Sequence, residues 1–169
     1  STKLFKLPIV TTRFANIYGP GQLNFSALFP DCIRSALGYS NFIPRGNGSH
    51  IRDFLYIDDV INLYSLISSK LIKDKTNIMG QVFNAGTNEP KIVKDIINII
   101  YKKIGNIDDL DMVNSQLSKN TTVGEIDCQY MDYEKVNKYF GWMPSTSFDQ
   151  GIEKTIAWYK NYLNKVVTT

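Results

Sequence analysis

Residues 12–21 read TRFANIYGPG, and a short apolar segment, PIV at residues 8–10, leads directly into them. β-Branched and aromatic residues dominate up to Tyr18, and the Gly-Pro-Gly sequence that follows ends regular structure. The pattern over residues 7–18 predicts a buried β-strand that stops at a turn. The glycines leave a second interpretation open, in which the turn is a loop that binds phosphate.

The glycine spacing argues against a phosphate loop. Gly19 with Gly21, and Gly46 with Gly48, are isolated pairs that lack the spacing of a dinucleotide-binding fingerprint. Neither pair opens a helix directly after a strand, as a phosphate cradle requires. The sequence also contains no Tyr-x-x-x-Lys pair and no nucleophile elbow. We therefore expect no catalytic residue in this chain.

Strand patterns alternate with helical patterns along the chain, which predicts an α/β fold. A second strand is predicted at residues 81–86. The Gly-Asn-Gly turn between the two apolar pieces of residues 42–57 predicts a hairpin or a tight loop. The polar segment at residues 106–127 is predicted to be irregular. Helical periodicity with capping residues predicts five helices, within residues 24–38, 58–73, 87–105, 132–141 and from Ser147 onwards.

The composition is that of a globular domain that binds a small ligand. The 169 residues are 43% hydrophobic and carry a net charge of +3, with basic and acidic residues mixed. A nucleic-acid surface would need clustered basic residues, and a membrane helix would need about 18 apolar residues in a row. The sequence shows neither feature. Cys32 and Cys128 lie far apart in the sequence, and the chain has a single histidine. We therefore expect two buried, reduced thiols in a cytosolic protein, and no metal site.

Two arginines bracket the Gly-Asn-Gly turn. Arg45 and Arg52 could hold a diphosphate, because the guanidinium group matches phosphate oxygens with two parallel hydrogen bonds. The alternative is a solvated loop in which Arg52 pairs with a nearby acid. Asp53 is expected to accept hydrogen bonds from loop N–H groups. Asp58 and Asp59 are expected to cap the helix that follows them.

Five segments follow one another along the chain: RFANIYGPG, LFPDCIRSAL, GNGSHIRDFLYIDDV, VFNAGTNEP and DYEKVNKYFGWMPSTSFDQGIEKTIAWYKNY. Their order and spacing resemble the C-terminal half of extended short-chain dehydrogenases/reductases of the nucleotide-sugar epimerase and dehydratase group. Within that group, the segments YGPGQLNFSALFPDCIRS and GEIDCQYMDYEKV most resemble CDP-glucose 4,6-dehydratases. The dTDP-glucose 4,6-dehydratases are less similar, and UDP-glucose 4-epimerases and UDP-glucuronate decarboxylases less similar again.

The resemblance implies that residues 1–169 form the substrate-binding C-terminal portion of a Rossmann-like enzyme, with a few strands of its parallel sheet. NAD and the catalytic Tyr-x-x-x-Lys pair would belong to an N-terminal half that this chain lacks. The chain alone would be inactive, and its ligand would be a nucleoside diphosphate sugar. We expect a cytoplasmic protein and a homodimer at full length. The isolated chain would self-associate through apolar edges at residues 8–15 and 54–57.

The resemblance also assigns site residues one at a time. Asn16 would face the sugar nucleotide near the nicotinamide, and Tyr18 would lie beside it on the cofactor side. The diphosphate would be held by Arg52 and the nucleotide approached by Arg45. The remaining substrate-binding positions are Asn24, Phe25 and Leu28 at the start of a helix, and Tyr130 in the nucleotide pocket.

Three points stay open. Relatives often carry a second phosphate-binding arginine near the position of Thr122, which has no arginine here. Tyr130 has a packed core tyrosine as its alternative. Two other functions remain for the chain besides that of a dehydratase portion. It could be half of a 4-epimerase or decarboxylase, or a module that binds nucleotide sugars without catalysis.

Overall fold

A computed structural model describes residues 7–74, 76–121 and 124–167 of the chain. Short strands alternate with helices, which confirms the predicted α/β class. The strands are β1 (Thr11–Phe14), β2 (Asn16–Tyr18), β3 (Ile51–Arg52), β4 (Phe54–Tyr56), β5 (Val82–Ala85), β6 (Lys91–Ile92) and β7 (Cys128–Gln129). The helices are α1 (Leu28–Ala36), α2 (Ile57–Lys73), α3 (Val93–Ile104), α4 (Ile107–Lys119), α5 (Glu134–Phe140) and α6 (Phe148–Val167).

The opening segment forms two strands, where the sequence predicts one. β1 pairs in parallel with β5, and β2 pairs in parallel with β4. The change of partner occurs at one peptide: Ala15 N donates to Ala85 O, and the next amide, Asn16 N, donates to Asp53 O. The chain thereby passes from one parallel pair to the other, and Asn16 lies at the start of the second pair.

Exposure differs between these strands. The side chains of β4 are buried, so the apolar surface expected at residues 54–57 is absent and that expectation is wrong. Apolar surface is instead found at Ile9, Ile17 and Val82, which are 40%, 38% and 37% exposed. The prediction of a wholly buried first strand is also wrong, because Thr11 and Arg13 face solvent.

The hairpin predicted at residues 42–57 does not form. β3 pairs antiparallel with β6 and parallel with β7, so its partners come from distant parts of the chain. Residues 42–48 form a loop, in which Pro44 has no N–H to give to a strand ladder. Gly48 has φ +74, and a Cβ there would lie 3.0 Å from Lys94 Cβ, so this loop packs closely on α3.

Helix α4 lies in the segment predicted to be irregular. Asn106 caps it by accepting a hydrogen bond from Asp109 N at 3.3 Å. Leu110, Val113 and Leu117 are buried and recur at the three- and four-residue spacing of a helix. Helix α4 has few apolar side chains among many polar ones, and for that reason its composition suggested a loop.

Other local predictions have mixed outcomes. The capping residue expected at Ser147 is confirmed, because Gln150 N donates to Ser147 Oγ and Ser147 N donates to Gln150 Oε1, each at 3.3 Å. Asp59 does not serve the start of α2 as predicted: it is buried and accepts from Ser145 N at 2.9 Å and from Ser145 Oγ at 2.7 Å. Cys32 is buried, whereas Cys128 is exposed, contrary to expectation.

Candidate functional site

A large cavity measures about 290 Å³ and is lined by the start of α1, the loop at residues 42–48 and strand β3. Helices α3 and α4 close it from behind with apolar side chains. Four of the predicted ligand-binding residues line it: Asn16, Leu28, Arg45 and Arg52. These residues come from four separate segments, so the fold brings together what the sequence keeps apart.

Arg52 is held firmly in the cavity wall. Its side chain is 16% exposed, and its Nη1 donates to Ile51 O at 2.9 Å and to Asp127 O at 3.4 Å. Its Nη2 lies 3.5 Å from Glu125 Oε2. The pairing of Arg52 with an acid is thus present, although in a strand and not in a solvated loop, and Arg52 also lines the cavity.

Glu125 joins two basic side chains at this point. The same oxygen, Glu125 Oε2, lies 3.5 Å from His50 Nε2. His50 is buried, whereas the Glu125 side chain is 60% exposed. An exposed carboxylate thus lies beside both Arg52 and His50. The sequence analysis assigns no ligand to His50, although its position two residues before Arg52 predicts the same face of a strand.

A hydrogen-bonded loop carries Arg45 at the rim of the cavity. Asn120, at the end of α4, donates from Nδ2 to Pro44 O at 2.9 Å and to Gly46 O at 3.4 Å. Asn47 Oδ1 accepts from Ser49 N at 3.0 Å. Arg45 itself is exposed. The loop is fixed on both sides of Arg45, so the side chain can reach a ligand while its backbone stays in place.

The start of α1 forms the opposite wall. Ser26, Ala27 and Leu28 line the cavity there. Ala27 occupies the N-cap position and has no side-chain acceptor, so the first N–H groups of this helix are not capped by it. Uncapped N–H groups and the helix dipole favour an anion at this end.

Two residues predicted at the start of α1 lie outside this wall. Asn24 Oδ1 accepts from Ser26 N at 3.1 Å and so shapes the loop before the helix. Phe25 packs under the Arg34 guanidinium group, 4.7 Å from its ring centroid, and against Tyr159. The structure therefore places Leu28 at the cavity, and gives Asn24 and Phe25 structural contacts instead.

A second cavity, of about 30 Å³, lies on the other side of Asn16. Tyr130 and Asp53 line it, and Asn16 is common to both cavities. Tyr130 is 55% exposed, so the alternative of a packed core tyrosine is wrong. A space this size holds about one water molecule. The small cavity that these residues line is therefore too small to hold a dinucleotide.

Tyr18 lies in the core. Its ring is 2% exposed and stacks on Phe29 with centroids 4.5 Å apart. Its hydroxyl donates to Phe148 O at 3.4 Å, and burial raises the pKa of this phenol above its ordinary value. The buried ring offers no face to a dinucleotide, so the predicted cofactor contact is not supported by its placement. The structure gives Tyr18 a packing role.

Asp53 has the structural role that the sequence predicts. It is 1% exposed and accepts from Thr87 N at 2.9 Å, from Thr87 Oγ1 and from Met131 N at 3.3 Å. A Cβ on Gly86 would lie 2.2 Å from Asp53 Oδ2, so only glycine fits there. Asn16 Nδ2 also donates to the backbone oxygen Asp53 O at 3.1 Å, so the Asn16 side chain is held by the backbone of Asp53.

Thr122, at the expected place of a second phosphate arginine, lies outside the described residues. Within residues 7–74, 76–121 and 124–167, no three His, Cys, Asp or Glu side chains are grouped to hold a metal ion. None of the helices in the described part of the chain combines the length and apolar character needed to cross a bilayer.

Comparison with known proteins identifies the family. A family model described as GDP-mannose 4,6 dehydratase matches residues 2–155. The chain belongs to this family. This chain is 30% identical to a dTDP-D-glucose 4,6-dehydratase of Dictyostelium discoideum, and the match covers 96% of this chain and 42% of the relative. It is 32% identical to a trifunctional UDP-glucose 4,6-dehydratase/epimerase/reductase of Arabidopsis thaliana, over 92% of this chain and 22% of that one.

Solved structures show the same fold. A dTDP-glucose 4,6-dehydratase of Bacillus anthracis in complex with NAD matches at a TM-score of 0.76 and 27% identity, over 95% of this chain and 47% of that one. A UDP-glucuronic acid 4-epimerase of Bacillus cereus, in complex with UDP-glucuronic acid and NAD, matches at a TM-score of 0.74 and 28% identity. This match covers 95% of this chain and 48% of that one. This family member thus spans less than half the length of these relatives. The predicted extended short-chain dehydrogenase/reductase fold is confirmed.

Proposed function

We propose that this family member is the substrate-binding portion of an NAD-dependent nucleotide-sugar 4,6-dehydratase, and that its large cavity receives the nucleoside diphosphate. One observation carries the proposal. Arg52 Nη2 meets a carboxylate oxygen, Glu125 Oε2, inside a cavity whose facing wall is the start of a helix. An anion bound there would have a guanidinium group on one side and helix N–H groups on the other.

The diphosphate would take the place of the Glu125 carboxylate. Arg52 is nearly buried and already oriented by two carbonyl oxygens, so it loses little freedom when it binds phosphate. Glu125 is mostly exposed and can turn outward into water. Arg45, on its fixed loop, adds a second positive charge at the rim. This pair supports the assignment in the absence of any arginine at the Thr122 position.

The sugar would lie toward Asn16. The volume of about 290 Å³ is at the lower end of the range for ligand pockets, so the cavity accommodates part of a nucleotide sugar. Asn16 lines both cavities and stands where β2 begins. NAD would be bound mainly by residues that this chain does not contain, since the small cavity beyond Asn16 does not fit it.

The finer features of the proposal rest on the sequence. The CDP-glucose type is favoured by the segments YGPGQLNFSALFPDCIRS and GEIDCQYMDYEKV, while the relatives named above act on dTDP- or UDP-sugars. Half of a 4-epimerase or decarboxylase is the alternative. We also propose a cytoplasmic protein that is a homodimer at full length, and self-association of this chain through the apolar surface around Ile9, Ile17 and Val82.

An activity assay tests where catalysis lies. The chain is incubated with NAD and CDP-glucose, and formation of the 4-keto sugar is followed. We expect no product, because the proton-transfer and hydride chemistry is assigned to residues outside this chain. Turnover by the chain alone would contradict that assignment. A binding module without catalysis instead predicts no product from the complete natural polypeptide either.

A further inference from the structure

The wall of the large cavity includes an acid that the proposed diphosphate site does not explain. Asp31 lines the cavity together with Glu125. Glu125 meets Arg52 and His50, and its exposed side chain can leave. Asp31 belongs to the first turn of α1 and its carboxylate is paired with Arg34, and an ionised carboxylate has no hydrogen to donate to phosphate oxygens. The complementary ligand group beside Asp31 would therefore be one that donates a hydrogen bond.

The Asp31 carboxylate is held in a defined orientation. Arg34 Nη2 donates to Asp31 Oδ1 at 3.2 Å. Arg34 is in turn fixed by its Nε, which donates to Ser40 Oγ at 2.9 Å, and by the Phe25 ring below its guanidinium group. An ionised carboxylate accepts hydrogen bonds at both oxygens and donates none. Asp31 thus presents an oriented acceptor to the cavity.

Its position along α1 indicates which part of a nucleotide it meets. Leu28 stands at the start of the helix, where the phosphates are placed, and Asp31 follows three residues later. Residues at this spacing share a helix face, about 4.5 Å apart along the axis. Both line the cavity, so Asp31 lies on the same wall as the start of the helix and about one turn further along it. We place the nucleoside there, next to the phosphates at Leu28.

We propose that Asp31 selects the nucleobase by accepting a hydrogen bond from an exocyclic amino group, and so favours cytosine over uracil and thymine. The inference rests on the proposed function, because it assumes that the cavity binds a nucleoside diphosphate. Cytosine carries an amino donor at position 4, where uracil and thymine carry an oxygen acceptor. An oxygen acceptor at this place could not pair with the Asp31 carboxylate, which has no hydrogen to donate.

The test compares CDP and UDP binding by calorimetry. The chain is expected to bind CDP about 5- to 100-fold more tightly than UDP, which is the usual range for one well-placed base contact. In Asp31→Asn the ratio of the two affinities should fall toward one, because an amide can either accept from cytosine or donate to uracil. Asp31→Ser, whose hydroxyl also does both, should give the same result if the amide variant folds poorly.

Asp108→Asn serves as the matched control, since Asp108 is an exposed acid in the first turn of α4. It should leave the CDP-to-UDP ratio unchanged. Equal affinities in the natural chain would overturn the base-reading role and leave the proposed function standing. A fall of both affinities by the same factor in Asp31→Asn would also overturn it, since that pattern indicates a ribose contact. Absence of binding by both nucleotides would overturn the inference together with the proposed function.

Discussion

Replacing Arg52 with alanine is expected to weaken CDP binding about 10- to 150-fold, which corresponds to about 1.5–3 kcal/mol for a charge-assisted contact. The side chain is nearly buried and oriented before the ligand arrives, so alanine removes a contact that costs little to form. The measurement is calorimetric titration of the chain and the variant with CDP at constant salt, because exposed charges depend on ionic strength.

Two variants make this result specific. Arg13→Ala removes an exposed arginine of β1, away from the cavity wall, and should leave the affinity unchanged. Glu125→Gln removes the carboxylate that competes for Arg52, and should tighten CDP binding about two- to fivefold, the scale of an exposed ion pair. Unchanged binding in Arg52→Ala, or weaker binding in Glu125→Gln, would contradict the assignment of the phosphate site.

Replacing Asp53 with alanine is expected to lower the free energy of unfolding by about 2–4 kcal/mol. The carboxylate is buried and accepts from Thr87 N, Thr87 Oγ1 and Met131 N. Alanine removes the acceptor that these three donors share. Urea unfolding followed by circular dichroism measures the change.

Asp58→Ala is the control for this prediction. Asp58 has a side chain that is 60% exposed and lies 4.0 Å from Lys154 Nζ. Its replacement by alanine should change the unfolding free energy by less than about 0.5 kcal/mol, as for other surface positions. Equal stability losses in Asp53→Ala and Asp58→Ala would show that the hydrogen bonds of Asp53 do not stabilise the fold.

Local signals in the sequence were sufficient for most of the helices. The Ser147–Gln150 pair, Gly105 after α3 and Gly141 after α5 mark helix ends through capping chemistry that acts over a few residues. Helix α4 escaped prediction because its stability comes from packing: its three buried apolar residues, Leu110 among them, meet α3 and α1 only in the folded chain.

The candidate site could be predicted only in part, for a related reason. Arg52 and Leu28 stand beside recognisable local features, a Gly-Asn-Gly turn and a helix start. The contact of Arg52 with Glu125 depends on the parallel pairing of β3 with β7, which joins segments far apart in sequence. No local pattern specifies that register. The same pairing brings His50 to Glu125, and so both residues were missed.

The most direct test of the central claim is a titration of the isotope-labelled chain with CDP-glucose, followed by amide chemical shifts in nuclear magnetic resonance. The account predicts saturable one-to-one binding, with the largest shifts at Leu28, Gly46 and Arg52 on the wall of the large cavity. Absence of saturable shifts would contradict it. Shifts confined to Tyr130 and its neighbours around the small cavity would contradict it as well.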